Sequence, residues 1–125
     1  MPEKIKTVRD LKAYQAAFRC AMEIFEITKK FPAEERYSLT DQIRRSSRAV
    51  CSNLAESWRK RRYQKVFVNK LSDSMSEAAE TQTWIEFCLA CRYIDQPVFA
   101  RLNDEYEAII GMLNMMEYKA DKFCF

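Results

Sequence analysis

A chain of 125 residues, 48% of them hydrophobic, can bury a core of its own and is the length of a single domain. One glycine and three prolines supply little of the turn chemistry that β-hairpins need, so the composition favours an all-α fold. The net charge is +3. The chain has no histidine, which excludes Ser-His-Asp and Cys-His catalysis and the Glu-x-x-His motif of di-iron bundles.

Neither the start of the chain nor its cysteines predict a secreted or membrane protein. Residues 1–10 are polar and lack the apolar run of a signal peptide, and no stretch approaches the length that spans a bilayer. The odd number of cysteines is typical of reduced thiols: Cys20, Cys51, Cys88, Cys91 and Cys124. Cys88 and Cys91 form a C-x-x-C, but zinc would need two more ligands. We expect buried thiols, a cytoplasmic location and no cofactor.

Helix 1 is predicted from about Asp10 to Lys30, after a polar lead-in over residues 1–9, with Thr7 and Asp10 as candidate caps. Two apolar stripes run along it. The stripe predicted to face the bundle comprises Leu11, Tyr14, Phe18, Ala21 and Phe25. A second stripe lies roughly opposite, at about 100° per residue: Ala13, Ala16, Cys20, Ile24, Ile27 and Phe31. A four-helix monomer has no central helix that would need two apolar faces, so the pattern predicts a homo-oligomer.

Helix 2, about 39–58, is predicted to begin at a capping-box-like pair, Ser38 and Asp41. Positive charge is concentrated from Leu39 to Lys65, where eight Lys or Arg against two acids give +6 and leave −3 for the rest of the chain. No glutamate stands at i,i+4 to neutralise the arginines of the helix. The candidate nucleic-acid-binding residues are Arg44, Arg45, Arg48, Arg59, Lys60, Arg61, Arg62 and Lys65. A solvated face, or pairing with acids of another subunit, is the alternative.

Helix 3 is predicted over about 63–93 and helix 4 over about 97–118, with Asp95 as the cap of helix 4. The core-facing stripe of helix 3 contains hydroxyls, so either these hydroxyls find partners there or the helices pack very closely. Three acids lie beside that stripe, Asp73, Glu77 and Glu80; they could pair with arginines of helix 2 or of another subunit, and a metal or acid–base site is the less favoured interpretation. Four helices with short connections predict an up-down-up-down antiparallel four-helix bundle.

Several short strings carry a family resemblance. They are Asp10-Leu11, Phe31-Pro32 with Glu35, Leu39-x-x-Gln42-Ile43-Arg44-Arg45, Ser52-Asn53-Leu54-Ala55-Glu56-Ser57 and Glu80-x-x-Thr83-x-Ile85. In this order and spacing the chain resembles the four-helix-bundle proteins of 23S rRNA intervening sequences, a family that includes the accessory variability determinant of diversity-generating retroelements. Cys51 and Ser57 stand where relatives often have proline and glycine, so helix 2 is expected to be straighter here.

The resemblance implies a ring-shaped homopentamer and no catalytic residue to carry over. For the retroelement member it implies a basic ring surface that binds nucleic acid and a reverse transcriptase; the modest net charge of +3 argues against that branch. We therefore expect a non-enzymatic oligomer that binds RNA or DNA through the basic residues. The alternative is a protein-interaction scaffold whose arginines contact another subunit or partner. An enzyme would need an unrecognised carboxylate site.

Overall fold

Four long α-helices make up most of the chain in a computed structural model, which describes residues 5–125. They are α1 (Lys12–Thr28), α2 (Leu39–Arg59), α3 (Gln64–Ala90) and α4 (Gln96–Tyr118), followed by a short α5 (Ala120–Phe123). Single 3-10 turns cover Val8–Asp10 and Ala33–Glu35. The polar lead-in predicted for residues 1–9 lies partly outside the described residues.

Contacts between the helices show that the bundle is antiparallel. The end of α1 meets the start of α2 where Thr28 contacts Arg44. Along α2 and α3 the numbers run in opposite directions, since Ser74 bonds to Val50 and Thr81 to Ser46. Helices α1 and α4 also run in opposite directions, because Glu23 pairs with Arg101 and Cys20 with Glu105. The predicted fold class is confirmed.

The core combines large apolar side chains with a few hydroxyls that bond across helices. The largest fully buried residues include Tyr106, Phe67, Ile24, Leu54, Leu71 and Ile85. Between α2 and α3 the contact is made by small residues. The Ser74 hydroxyl donates to the Val50 carbonyl at 2.7 Å, and the Thr81 hydroxyl lies 2.8 Å from that of Ser46. The prediction that these hydroxyls find buried partners is confirmed, and their small volume lets α2 and α3 approach closely.

The stripe of α1 that was predicted to face the bundle does so only in part, and the second stripe is the more completely buried. Ala13, Cys20 and Ile24, from the second stripe, are buried in the core. Of the stripe predicted to face the bundle, Leu11 and Ala21 are buried, but Phe18 is 50% exposed. Most of the buried side chains of α1 are small, namely Ala13, Ala17, Cys20 and Ala21, with Ile24 the large exception, and a closely packed face favours such residues over an aromatic ring.

Two helix boundaries differ from the sequence prediction: the start of α2 in its capping contacts and the end of α3 in its position. Ser38 does not cap α2; its hydroxyl donates instead to Glu35, whose carboxylate also accepts the Leu39 N–H at 3.3 Å. Helix α3 ends at Ala90 rather than about residue 93, because Arg92 adopts the left-handed conformation that ends helices (φ 63°).

The start of α4 follows the prediction. The Asp95 side chain accepts the Val98 N–H at 3.1 Å and so caps the helix as expected. Within the described residues, none of the helices combines the length and hydrophobicity needed to cross a membrane.

Candidate nucleic-acid interface

Arg44, at the start of the arginine-rich face of α2, lies against the end of α1. Its Nε–H donates to the Thr28 hydroxyl at 2.8 Å and an Nη2–H reaches the Phe25 carbonyl at 3.4 Å. The guanidinium also lies 4.7 Å from the centre of the Phe25 ring. Because the last carbonyls of a helix lack intrahelical partners and attract cations, Arg44 stabilises the end of α1. The sequence placed Arg44 on the far side of α2 and missed this role.

Arg45 and Arg48 continue this face with exposed side chains. Arg45 forms an ion pair with Asp41 at 2.9 Å, so an aspartate at i,i+4 supplies a neutralising partner where no glutamate does. Exposed pairs of this kind contribute only about 0.2–1 kcal/mol, and a phosphate can compete with Asp41. Arg48 lies 5.8 Å from the centre of the Phe25 ring and forms no ion pair with any residue of 5–125.

The turn between α2 and α3 presents a second group of cations. Arg59, Lys60, Arg62 and Lys65 are exposed and take part in none of the ion pairs formed by the described residues. Arg61 instead folds back on Trp58: its Nε–H donates to the Trp58 carbonyl at 2.8 Å and its guanidinium stacks 3.7 Å from the indole centre. The turn therefore holds one cation in a fixed position and leaves the others in solvent.

Trp58 itself packs inside the bundle. Its side chain is 5% exposed and meets the Phe123 ring edge-on at a centroid distance of 6.2 Å. Phe123 also stacks on Phe67 at 6.1 Å. The C-terminal tail, Phe123 to Phe125, therefore folds back on its own bundle as far as Phe123, whereas Phe125 is 80% exposed.

Two further cations come from the N-terminal segment and were missed by sequence reasoning. Lys6 and Arg9 line a cavity of about 320 Å³ together with Arg59 and Arg61; these four residues define the basic cavity. The Val8–Asp10 turn packs against α2, which places the start of the chain beside the end of that helix. The predicted antiparallel arrangement could have indicated this contact, because it brings the beginning of α1 to the end of α2.

An exposed apolar strip lies beside the arginine face. Tyr14, Phe18 and Met22 of α1 define it; Phe18 is 50% and Met22 is 47% exposed. Together with Arg48 and Cys51 of α2, these side chains line a groove of about 350 Å³. This α1 strip therefore has a cation at its edge. The two-stripe pattern of α1 predicts an apolar face on the outside of the bundle. Tyr14 and Phe18, which form that face here, come from the stripe that was predicted to face the bundle.

A strip of acidic and aromatic residues runs along α3. Asp73, Glu77 and Glu80 form no ion pair within residues 5–125, so the suggested pairing with α2 arginines does not occur inside the subunit. Partial burial, together with the charges of Glu80 and Asp73, raises the pKa of Glu77 above its ordinary value. Trp84 and Phe87 continue the same strip, and Phe87 is 52% exposed. These five residues define the α3 strip.

The thiols are arranged for packing. All five are free, and Cys20, Cys51 and Cys88 are buried, whereas Cys91 is exposed, contrary to expectation. Burial raises the pKa of Cys51 to about 11 and that of Cys88 to about 12, so both are poor nucleophiles at neutral pH. In the described part of the chain, no three Cys, Asp or Glu side chains are grouped closely enough to hold a metal ion.

Comparisons with known proteins identify the family of this sequence. Residues 9–115 match the model of the 23S rRNA-intervening sequence protein family. Among solved structures, the chain is similar to a crystal structure of a protein with unknown function from the S23 ribosomal protein family of Bacteroides thetaiotaomicron. The TM-score is 0.75 at 23% identity, over 84% of this chain and 97% of that chain, a likeness that shows the fold alone. The comparison with curated proteins found no match.

Proposed function

The chain belongs to the 23S rRNA-intervening sequence protein family, and from that premise we propose that it is a non-enzymatic homo-oligomer that binds RNA through its basic surface. The observation that supports RNA binding is a group of exposed cations without acidic partners. It comprises Arg48, Arg59, Lys60, Arg62 and Lys65. Arg45 joins this group because its pairing with Asp41 is exposed and weak.

The spacing of the cations suits a nucleic-acid backbone. Arg48 and Arg59 are eleven residues apart on α2, which places them on nearly the same side of the helix and about 16 Å apart along its axis. Phosphate contacts of this kind supply affinity without regard to sequence. Arg44 and Arg61 are excluded from the proposed contacts, because their guanidinium groups already hold the end of α1 and the side of Trp58.

Oligomer formation is proposed from two exposed strips with complementary charge. The α1 strip is apolar and has the exposed Arg19 at its edge, while the α3 strip carries three carboxylates that form no ion pair within residues 5–125, beside Trp84 and Phe87. We propose that the α1 strip of one subunit packs on the α3 strip of the next. Because the two surfaces differ, such a contact is heterologous, and a heterologous contact that closes gives a ring. From the resemblance to the family, we expect this ring to contain five subunits.

Charge reversal tests the RNA proposal. The triple variant Arg48→Glu, Arg59→Glu, Arg62→Glu should bind single-stranded RNA much more weakly at low salt. The slope of log affinity against log salt should fall by about one for each phosphate that the variant no longer binds. The triple variant Lys30→Glu, Arg36→Glu, Arg92→Glu is the matched control, because these three exposed cations lie at the opposite end of the bundle and their reversal changes the net charge equally. An unchanged affinity in the first triple variant, or an equal loss in the control, would contradict the proposal.

Solution mass tests the proposed assembly. Phe18→Asp places a charge in the α1 strip and should convert the oligomer to monomers in light-scattering chromatography, with helical content unchanged. Met115→Asp is the matched control, since Met115 is 52% exposed on α4 and belongs to neither strip. High salt should weaken the assembly if carboxylates and arginines face each other. A wild-type protein that is monomeric at all concentrations would remove this half of the proposal.

The scaffold alternative rests on the same exposed α1 strip, with Phe18 and Met22, and gives the arginines another role. In that alternative the arginines contact acids of the neighbouring subunit or of another protein, and the oligomer has no RNA ligand. An assembly that forms normally while RNA binding is absent at low salt would favour it. A reverse transcriptase as that partner stays a prediction from the family resemblance.

A further inference from the structure

The basic cavity differs from the rest of the cationic surface in its shape. It is a concavity of about 320 Å³, at the lower end of the range of roughly 300–1,000 Å³ in which proteins bind small ligands. Its walls combine cations from two distant parts of the chain, Lys6 and Arg9 from the N-terminal segment and Arg59 and Arg61 from the end of α2. Aromatic surface is supplied by Tyr14, whereas Trp58, which also lines the cavity, is only 5% exposed.

Positive charge in the basic cavity is offset at Lys6, whose charge interacts with that of Asp10, but no acid lines the cavity itself. Four Lys or Arg and no Asp or Glu are among the residues that line it. Arg9 and Arg59 form no ion pair with any residue of 5–125. Asp10, the acid of the same segment, is occupied by the backbone N–H groups of Lys6 and Thr7 at 2.8 and 3.0 Å. Converging like charges repel, and a bound anion relieves that repulsion.

One wall of the basic cavity is held rigidly. Arg61 is fixed by its stacking on Trp58 and by its bond to the Trp58 carbonyl. Burial lowers the pKa of Arg61, and the charge of Arg59 adds to this effect, while Cys124 opposes it. The positive potential at this wall therefore comes from a side chain that is already ordered before a ligand arrives.

The charge and shape together favour one kind of phosphate. A phosphodiester inside a strand carries one negative charge and continues on both sides, which suits the open face of α2. A terminal phosphate monoester carries about −1.5 to −2 at neutral pH and stands at the end of a strand, so it can enter a concavity. We propose that the basic cavity binds the terminal phosphate monoester of an RNA strand, with its nucleotide against the aromatic side of the cavity.

This inference rests on the proposed RNA binding, and end-labelled oligonucleotides test it separately. Affinities are measured for one RNA sequence with a 5′-phosphate, with a 3′-phosphate and with hydroxyls at both ends. One phosphorylated form should bind about ten-fold more tightly than the hydroxyl form, a difference of about 1.4 kcal/mol. Which of the two binds more tightly identifies the end. Inorganic phosphate should compete for that preference.

Arg9→Gln separates the cavity from the open surface, because Arg9 is exposed and is not among the proposed backbone contacts. This variant should lose the preference for the phosphorylated end while its affinity for hydroxyl-ended RNA changes less than about two-fold. The matched control Arg62→Gln should weaken both affinities equally. Equal binding of all three oligonucleotides by the wild type overturns the inference and leaves the proposed function intact. Binding of none of them refutes both.

Discussion

Arg44 is expected to stabilise the fold rather than to bind a ligand, and Arg44→Met tests this directly. Methionine keeps an unbranched apolar side chain and removes the guanidinium. The bond to the Thr28 hydroxyl, 2.8 Å long and partly exposed, contributes about 1.5 kcal/mol as a charged hydrogen bond. The contact with the Phe25 ring at 4.7 Å adds about 0.5 kcal/mol. The 3.4 Å contact to the Phe25 carbonyl is long enough to neglect.

Unfolding in urea should therefore show a decrease of about 2 kcal/mol in the stability of Arg44→Met, measured at one fixed protein concentration because assembly adds to stability. At this chain length the melting temperature should fall by roughly 8 °C. Arg48→Met is the control: Arg48 is exposed and lies farther from Phe25, so its unfolding free energy should change by less than about 0.5 kcal/mol.

RNA affinity should rank the two variants in the opposite order. Arg48→Met should weaken binding, and Arg44→Met should leave it nearly unchanged. The reasoning is refuted if Arg44→Met costs less than about 0.5 kcal/mol in stability while reducing RNA affinity as much as Arg48→Met does. Arg44 would then be a phosphate ligand whose contacts with α1 contribute little.

Further substitutions test the packing between helices and the bonds that hold a carboxylate. Thr81→Val and Ser46→Ala should each cost about 1–2 kcal/mol, and the double variant should cost less than their sum by at least about 0.5 kcal/mol, measured by urea unfolding. Phe123→Ala should cost roughly 2 kcal/mol, because that ring is partly buried against two aromatic side chains. Tyr93→Phe should reduce the loss of stability on acidification from about pH 5 to 3, because it removes one of the hydrogen bonds that hold the Glu35 carboxylate.

The sign of that pH effect follows from the directions of two pKa shifts. Hydrogen bonds from Ser38 and Tyr93 lower the pKa of Glu35 below 4.5. The Glu35 carboxylate therefore contributes to stability above about that pH, and this contribution is lost as the pH falls through the pKa of Glu35 in the folded protein. The same contact raises the pKa of Tyr93 from 10 to about 12. In the wild type, the stability that Tyr93 gains from its hydrogen bond to Glu35 is present below pH 10 and is lost as the pH rises toward 12. A wild type and Tyr93→Phe variant with identical pH profiles would contradict this assignment.

The sequence predicted the helices because their signals are local. Asp95 followed by Pro97 marks the start of α4, and the spacing of Phe67, Leu71 and Ser74 marks the buried face of α3. The prediction for α1 was only partly right, because periodicity shows that two apolar faces exist and says nothing about which neighbour covers each. That choice depends on how closely α2 and α4 approach, which is a property of all three helices together.

The exposed cationic surface was predicted in part. The exposed positions of Arg48, Arg59, Lys60 and Arg62 follow from the charge pattern of α2 and its turn. The engagement of Arg44 by α1, and of Arg61 by Trp58, depends on side-chain directions that wheel positions do not give. The basic cavity was missed because it joins residues about fifty positions apart, which meet only once the bundle is antiparallel.

The most direct test of the account is the salt dependence of RNA binding by the wild-type protein. Three to five exposed cations per subunit, each contacting one phosphate of a single strand, predict that log affinity falls against log salt with a slope of roughly −2 to −3.5 per subunit. The slope is read from fluorescence anisotropy titrations of a labelled single-stranded RNA at several salt concentrations. A slope near zero, or no binding at low salt, would contradict the claim that this basic surface holds an RNA backbone.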